Sequence, residues 1–231
     1  DLINKITEHT EENKIVRIVI NQLEKWKTLF DRMRNGGLQP AEQQGLYGEL
    51  VFLQKFLCKS KNQNCVIDVW VGADKEVRDF QYRNWAVEVK TTSGNNHQRV
   101  LISSERQLDD TLINFLFLYH LSLETSKGNG ENLNHKVLTI RDMLAENSFA
   151  LNSFNMKLME AGYLDVHAHL YEDRCYAKRD ENIYQIKEDF PRIKENEIRN
   201  GVGDVKYTII LSHCDKYLIT ESQLFKTLSL S

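Results

Sequence analysis

Proline and glycine are scarce: two prolines and eleven glycines among 231 residues leave no Pro/Gly-rich linker, collagen-like tract or long low-complexity segment. The four cysteines, Cys58, Cys65, Cys175 and Cys214, form no Cys-x-x-Cys pair and no disulfide framework, a pattern that fits a reducing cytoplasm. A positive excess is missing as well. With 30 basic residues against 33 acidic ones, the formal net charge of −3 weighs against a strong nonspecific nucleic-acid binder. A site that gathers carboxylates lowers this sum while leaving positive surface nearby or on a partner, so local charge matters more than the total. No apolar stretch is long enough for a bilayer: the longest, from Leu112 to Leu123, is interrupted by Asn114 and His120, and no basic-then-apolar leader is seen. A soluble protein without membrane association is expected. The first residue is Asp1 rather than methionine, as in a segment of a longer protein. Gly-x-x-x-x-Gly-Lys-Ser/Thr, Gly-x-Gly-x-x-Gly and Gly-x-Ser-x-Gly are absent, which removes NTPase, dinucleotide and serine-hydrolase readings.

What is present is a 41% hydrophobic chain, enough for one sizeable core with a smaller appended part. Apolar residues recur at helical spacing over residues 15–33, and Gly36-Gly37 ends the pattern. Pro40 then opens a second helix running to about Leu57, with Leu46, Leu50, Leu53 and Leu57 on one stripe. Beyond Lys61 the texture turns β-rich, and residues 66–71, 77–83, 85–92 and 99–103 read as strands of one sheet. Ser104 to Gln107 has the form of a capping box opening a short helix, and residues 112–123 read as a buried strand. The polar, glycine-containing residues 126–134 mark a loop and the expected boundary between a core at 1–125 and an α+β extension at 126–231. In that extension, helices are expected near 140–146 and 153–161, with strands at 163–177, 183–186 and 205–211.

The hairpin around Arg83-Asn84 carries the chemistry. Two residues separate the flanking runs, which suits a tight turn with asparagine tolerating a left-handed backbone. In that register Tyr82 faces Trp85, and stepping outward sets Asp79 opposite Glu88 with Cβ atoms roughly 5 Å apart, a like-charge pair that a divalent cation would neutralise. Period-two alternation puts Ala86, Glu88 and Lys90 on one face and Val87 and Val89 on the other. Hard oxygen ligands suit Mg²⁺ with waters and phosphate oxygens completing its shell, and Lys90 beside them can orient or deprotonate a water or stabilise charge on a phosphate. A Glu-x-Lys pair is equally the pattern of the wet face of an amphipathic strand. On the second helix, Glu49 lies on or at the edge of the apolar stripe, where it either finds a partner or snorkels to water. Gly45 and Gly48 each cost that helix about 1 kcal/mol, which points to close approach of another backbone or of substrate. Arg78, Arg83, His97 and Arg99 flank the proposed site and read either as phosphate contacts or as ordinary surface charge. His167 and His169 on an expected strand, with Cys175 following, lack a further ligand at suitable spacing and read as surface residues.

Read in order, Gly45-Leu-Tyr-Gly48-Glu49-Leu50, Trp70-Val-Gly72, Arg78-Asp79-Phe80 and Val87-Glu88-Val89-Lys90-Thr91-Thr92 resemble the PD-(D/E)XK phosphodiesterase superfamily of restriction-endonuclease-like nucleases. More narrowly, the chain resembles a branch associated with bacterial restriction or phage-defence gene clusters, whose C-terminal half is similar to Phe190-Pro-Arg-Ile193 and Gly201-Val-Gly-Asp-Val-Lys-Tyr207. The resemblance implies an α/β fold with a mixed central sheet flanked by helices. It implies a metal site of Glu49, Asp79, Glu88 and the backbone carbonyl of Val89, with Lys90 catalytic and Mg²⁺, or Mn²⁺ in its place, as cofactor. Gln107 is similar to the polar helix residue that some members place beside the lysine, and it fits the capping box equally well. Arg78 stands where the superfamily name has proline. The implied activity is hydrolysis of DNA phosphodiester bonds, and the implied partners are DNA and other subunits of a defence system. The competing expectation is a catalytically weak scaffold or DNA-recognition subunit.

Overall fold

The computed structural model describes residue 20 and residues 36–230, apart from 75, 95–97, 129, 188 and 229. The helix expected over residues 15–33 therefore lies outside the described residues, save for Ile20. Helix α1, Pro40–Lys59, starts where expected: proline occupies its first turn, and the Gln39 N–H donates to Glu42 Oε2 at 2.7 Å. Its stripe of Leu46, Leu50, Leu53 and Leu57 is buried.

Residues 66–71, expected as a strand, instead form the end of helix α2, Gln63–Asp68, and a single bridge from Trp70 to Phe80. Asn62 decides this, because its side chain caps the helix by accepting from the Cys65 N–H at 3.2 Å, while Val66 and Ile67 find burial as helix residues. Strands β1, Phe80–Tyr82, and β2, Trp85–Ser93, form the expected hairpin with Tyr82 opposite Trp85. The left-handed turn residue is Arg83 (φ 36°) and not Asn84, with its guanidinium over the Tyr82 ring.

Strand β3, Arg99–Ile102, does not join this sheet. It pairs with β7, Tyr207–Ile210, in a separate two-stranded sheet. The main sheet is five-stranded in the order β1-β2-β4-β6-β5, with β4 Phe115–Lys127, β5 Glu131–Asn132 and β6 Arg174–Ile186. Strand β4 runs parallel to β2 and antiparallel to β6, so the sheet is mixed. Residues 163–177, expected as a strand, begin as the 3-10 helix Asp165–Tyr171, and only from Arg174 does the chain extend. His167 and His169 thus sit on a helical turn rather than on one face of a strand.

One face of the sheet carries Trp85, Val87, Val89, Phe117 and Tyr119 against α1 and against helices α3, Leu133–Met143, and α4, Ser148–Ala161. The other carries Ala86, Leu116, Leu118 and Tyr184 against Val100, Ile102, Leu108 and Ile209. This is the mixed sheet flanked by helices of a restriction-endonuclease-like core. Both faces of β2 are covered, as is usual for a strand with a parallel neighbour. Among the described residues no helix is long and apolar enough to cross a membrane, and the four cysteines are free thiols.

Candidate active site

Where β1 ends, the edge of β2 loses its partner, and the candidate site is built in that gap. In the hairpin register, alternate residues of β2 direct N–H and C=O toward β1, and Val89 belongs to that set. No strand residue meets it. The Asp79 carboxylate does so instead, with Oδ2 accepting from the Val89 N–H at 2.7 Å. The backbone of Asp79 has already turned away, its carbonyl accepting from Val71 and Gly72 N–H groups at 2.9 Å each.

Glu88 lies on the floor of the site, 1% exposed, which removes the reading of Glu-x-Lys as a wet strand face. Its Oε1 accepts from Lys90 Nζ at 2.8 Å and from Gln107 Nε2 at 2.6 Å. Gln107 Oε1 in turn accepts from Lys90 Nζ at 3.2 Å and from the Ser103 N–H at 2.9 Å. Ser104 caps the 3-10 turn Glu105–Leu108 through the Arg106 N–H, and the Gln107 side chain reaches toward Glu88 and Lys90 while holding the preceding N–H. Asp79, Lys90 and Gln107 are half-buried, so the floor is enclosed and the rim is open.

Glu49 reaches the site from α1, on the opposite side of the sheet from Glu88. Its Oε2 accepts from the Trp70 indole N–H at 2.7 Å. Gly72 lets Glu49 and Asp79 approach one another: a Cβ built there would stand 2.9 Å from Asp79 Oδ1, 3.2 Å from Glu49 Oε2 and 2.8 Å from the Asp79 backbone. Gly48 meets a neighbour too, since a Cβ on it would lie 2.2 Å from Thr91 Cγ2, whereas the space at Gly45 is open. The close approach expected at both glycines is thus confined to Gly48, and its neighbour is a side chain of β2.

Arg78 is not a surface charge awaiting a phosphate. Its guanidinium donates to the carbonyls of Arg106, Gln107 and Asp109 and to Gln81 Oε1. His97 lies outside the described residues. Neither Trp70 nor Arg78 was assigned this work from sequence, and the only sign of it is their place inside the quoted motif segments.

Burial and crowding raise the acids. Asp79 is pushed up to about 6 by burial, against the pull of the Lys90 ammonium and the Val89 N–H. Glu88 is pushed up to about 8 by burial and by Asp79, with Lys90 and Arg78 opposing. Glu49 rises well above the usual carboxylate range through burial and then through Asp79. Burial pulls Lys90 down, but Glu88 and Asp79 outweigh it and hold its ammonium above the ordinary range. Among the described residues no three His, Cys, Asp or Glu side chains meet as a ready-made metal cage. The fit to a hard cation rests on Asp79 and Glu88: Glu88 Oε2 is buried without a hydrogen bond among the described residues, beside a second acid.

The family model described as "Putative PD-(D/E)XK family member" (DUF4420) matches residues 1–212. The chain belongs to this family. Membership in a PD-(D/E)XK family points to a nuclease-like protein, and nucleases of that superfamily generally use divalent metals. No match is found among curated proteins or among solved structures.

Proposed function

We propose that this PD-(D/E)XK member is a metal-dependent deoxyribonuclease that hydrolyses phosphodiester bonds with Asp79, Glu88 and Lys90 at its centre. The observation that carries the reading is the Oε2 of buried Glu88, which accepts from no donor among the described residues and sits beside Asp79 while Lys90 and Gln107 hold its other oxygen. Asp79 and Glu88 would hold Mg²⁺, or Mn²⁺ in its place, with the Val89 carbonyl on the same strand edge and Glu49 behind Asp79. Bound there, the cation supplies charge neutralisation on the phosphate and acidifies a water.

The protein's own groups divide the remaining work. Lys90, whose ammonium donates to Glu88 Oε1 and to Gln107 Oε1, serves as a donor to the phosphate or to the attacking water. Gln107 fixes the ammonium by accepting from it while donating to Glu88. Trp70 holds the Glu49 carboxyl beside Asp79. The setting we propose is bacterial restriction or phage defence, supported by the family resemblance. The net charge of −3 favours a protein that borrows positive surface from a partner.

Calorimetric titration with Mg²⁺ and Mn²⁺, alongside nicking of supercoiled DNA, tests the reading. Wild-type protein is expected to bind and cut, and Asp79→Ala to do neither. Absence of both in the wild type would leave the scaffold or recognition role as the better account.

A further inference from the structure

We infer that Arg78 and Arg192 form a two-arginine clamp that positions Gln107 against Glu88 and Lys90, making the segment after β6 a working part of the site without lending it a reacting group. The turn Glu105–Leu108 is short, and the last carbonyls of any helix lack internal partners. Here four successive carbonyls, Arg106 to Asp109, accept from guanidinium groups, and of these Arg106 O also accepts from the Asp109 N–H at 3.4 Å. Arg78 Nη2 donates to Arg106 O at 3.3 Å and also to Asp109 O, Arg78 Nε donates to Gln107 O at 3.3 Å, and Arg192 Nη1 donates to Leu108 O at 2.6 Å.

Arg192 is anchored in its turn. Its side chain is 1% exposed, and Nη2 donates to Asp110 Oδ2 at 2.6 Å. The chain that follows crosses the same turn, with the Glu195 N–H on Asp109 Oδ2 at 2.9 Å and the Val205 N–H on Glu105 Oε2 at 2.7 Å. Gln107 has a half-buried, rotatable side chain, so its reach to Glu88 depends on where this backbone is held. A planar guanidinium presents five donors in a fixed fork, against an ammonium's three rotatable ones, so it holds several carbonyls at once with less side-chain freedom lost per bond. Arg78 and Arg192 are therefore positioning residues, and neither need touch substrate.

The kinetic consequence rests on the nuclease reading, whereas the geometry does not. The test uses the full chain carrying Arg78→Lys, Arg192→Lys or Gln107→Ala, with the Gln107 side-chain amide resonance assigned by its loss in the last. In each lysine variant that resonance is expected to move toward the free-amide position and lose its hydrogen-exchange protection, without substrate or metal present. A resonance unchanged in both would overturn the clamp, and if one variant does not fold the other decides. On supercoiled plasmid with Mg²⁺, each lysine variant is expected to lose about 10- to 100-fold in kcat with KM unchanged. Adding either lysine substitution to Gln107→Ala should cost nothing further. Independent, multiplying losses would mean that the arginines act elsewhere. A wild type that neither binds Mg²⁺ nor cuts would refute the nuclease reading and leave the resonance to judge the clamp.

Discussion

Glu88 concentrates the conflict of this site in one side chain. It is buried on a sheet face beside another acid, and Lys90 and Gln107 serve only one of its oxygens. A carboxyl whose folded pKa is raised stabilises the fold fully below its unfolded pKa and loses that advantage as pH climbs through the folded value. For Glu88 the window runs from the ordinary value of 4.5 up to about 8, and Asp79 adds to it from 3.8 up to about 6. The metal-free protein is therefore expected to melt at lower temperature at pH 8 than at pH 5. Glu88→Gln keeps the shape and removes the charge, so thermal melts should show it stabilised relative to wild type at pH 8 and not at pH 5. Parallel wild-type and variant profiles would refute this account of Glu88.

At the scale of elements, the site depends on α1 lying close against β2. Gly48 is the point of contact, facing Thr91 Cγ2 so closely that a methyl group cannot be added without displacement. Gly48→Ala should gain helix propensity yet lose net stability, by about 1–3 kcal/mol, because overpacking costs more than the propensity returns. Thr91→Ser removes the colliding methyl while keeping the hydroxyl that accepts from Gln44 Nε2. Denaturant melts of the double variant should recover most of the loss, and an additive double variant would place the strain elsewhere. The hairpin shows the same dependence on neighbours. Strand β1 is three residues long, so Asp79 falls just before its first residue and becomes a cap for β2 rather than a sheet residue.

For the molecule as a whole, a cation that binds the folded state alone stabilises it by mass action. At a hundred times its Kd, Mg²⁺ should add about 2.7 kcal/mol, which is roughly 5–10 °C in Tm for a chain of this size. Protons compete for the same carboxylates, so the gain should be larger at pH 8 than at pH 5.5. Differential scanning fluorimetry in Mg²⁺ against chelator measures it, and Asp79→Ala should show no gain. An equal gain in that variant would move cation binding away from the candidate site. Charge acts at this scale too: with −3 overall, the chain offers little long-range attraction to DNA, and any strong association must come from local surface or a partner.

Local geometry was readable from the amino-acid order alone. The two-residue turn set Tyr82 opposite Trp85, period-two alternation put Glu88 and Lys90 on one face, and the 3.6-residue stripe placed α1, because each of these depends only on residues a few positions apart. The family motifs were legible for the same reason. Tertiary structure alone decided that β3 pairs with β7, and that Gln107 turns toward Glu88 while Arg78 and Arg192 hold its backbone. Those outcomes join segments tens to about a hundred residues apart. Which distant partner satisfies a buried carbonyl or covers a strand edge is settled by the packing of the whole chain, and no local pattern records it.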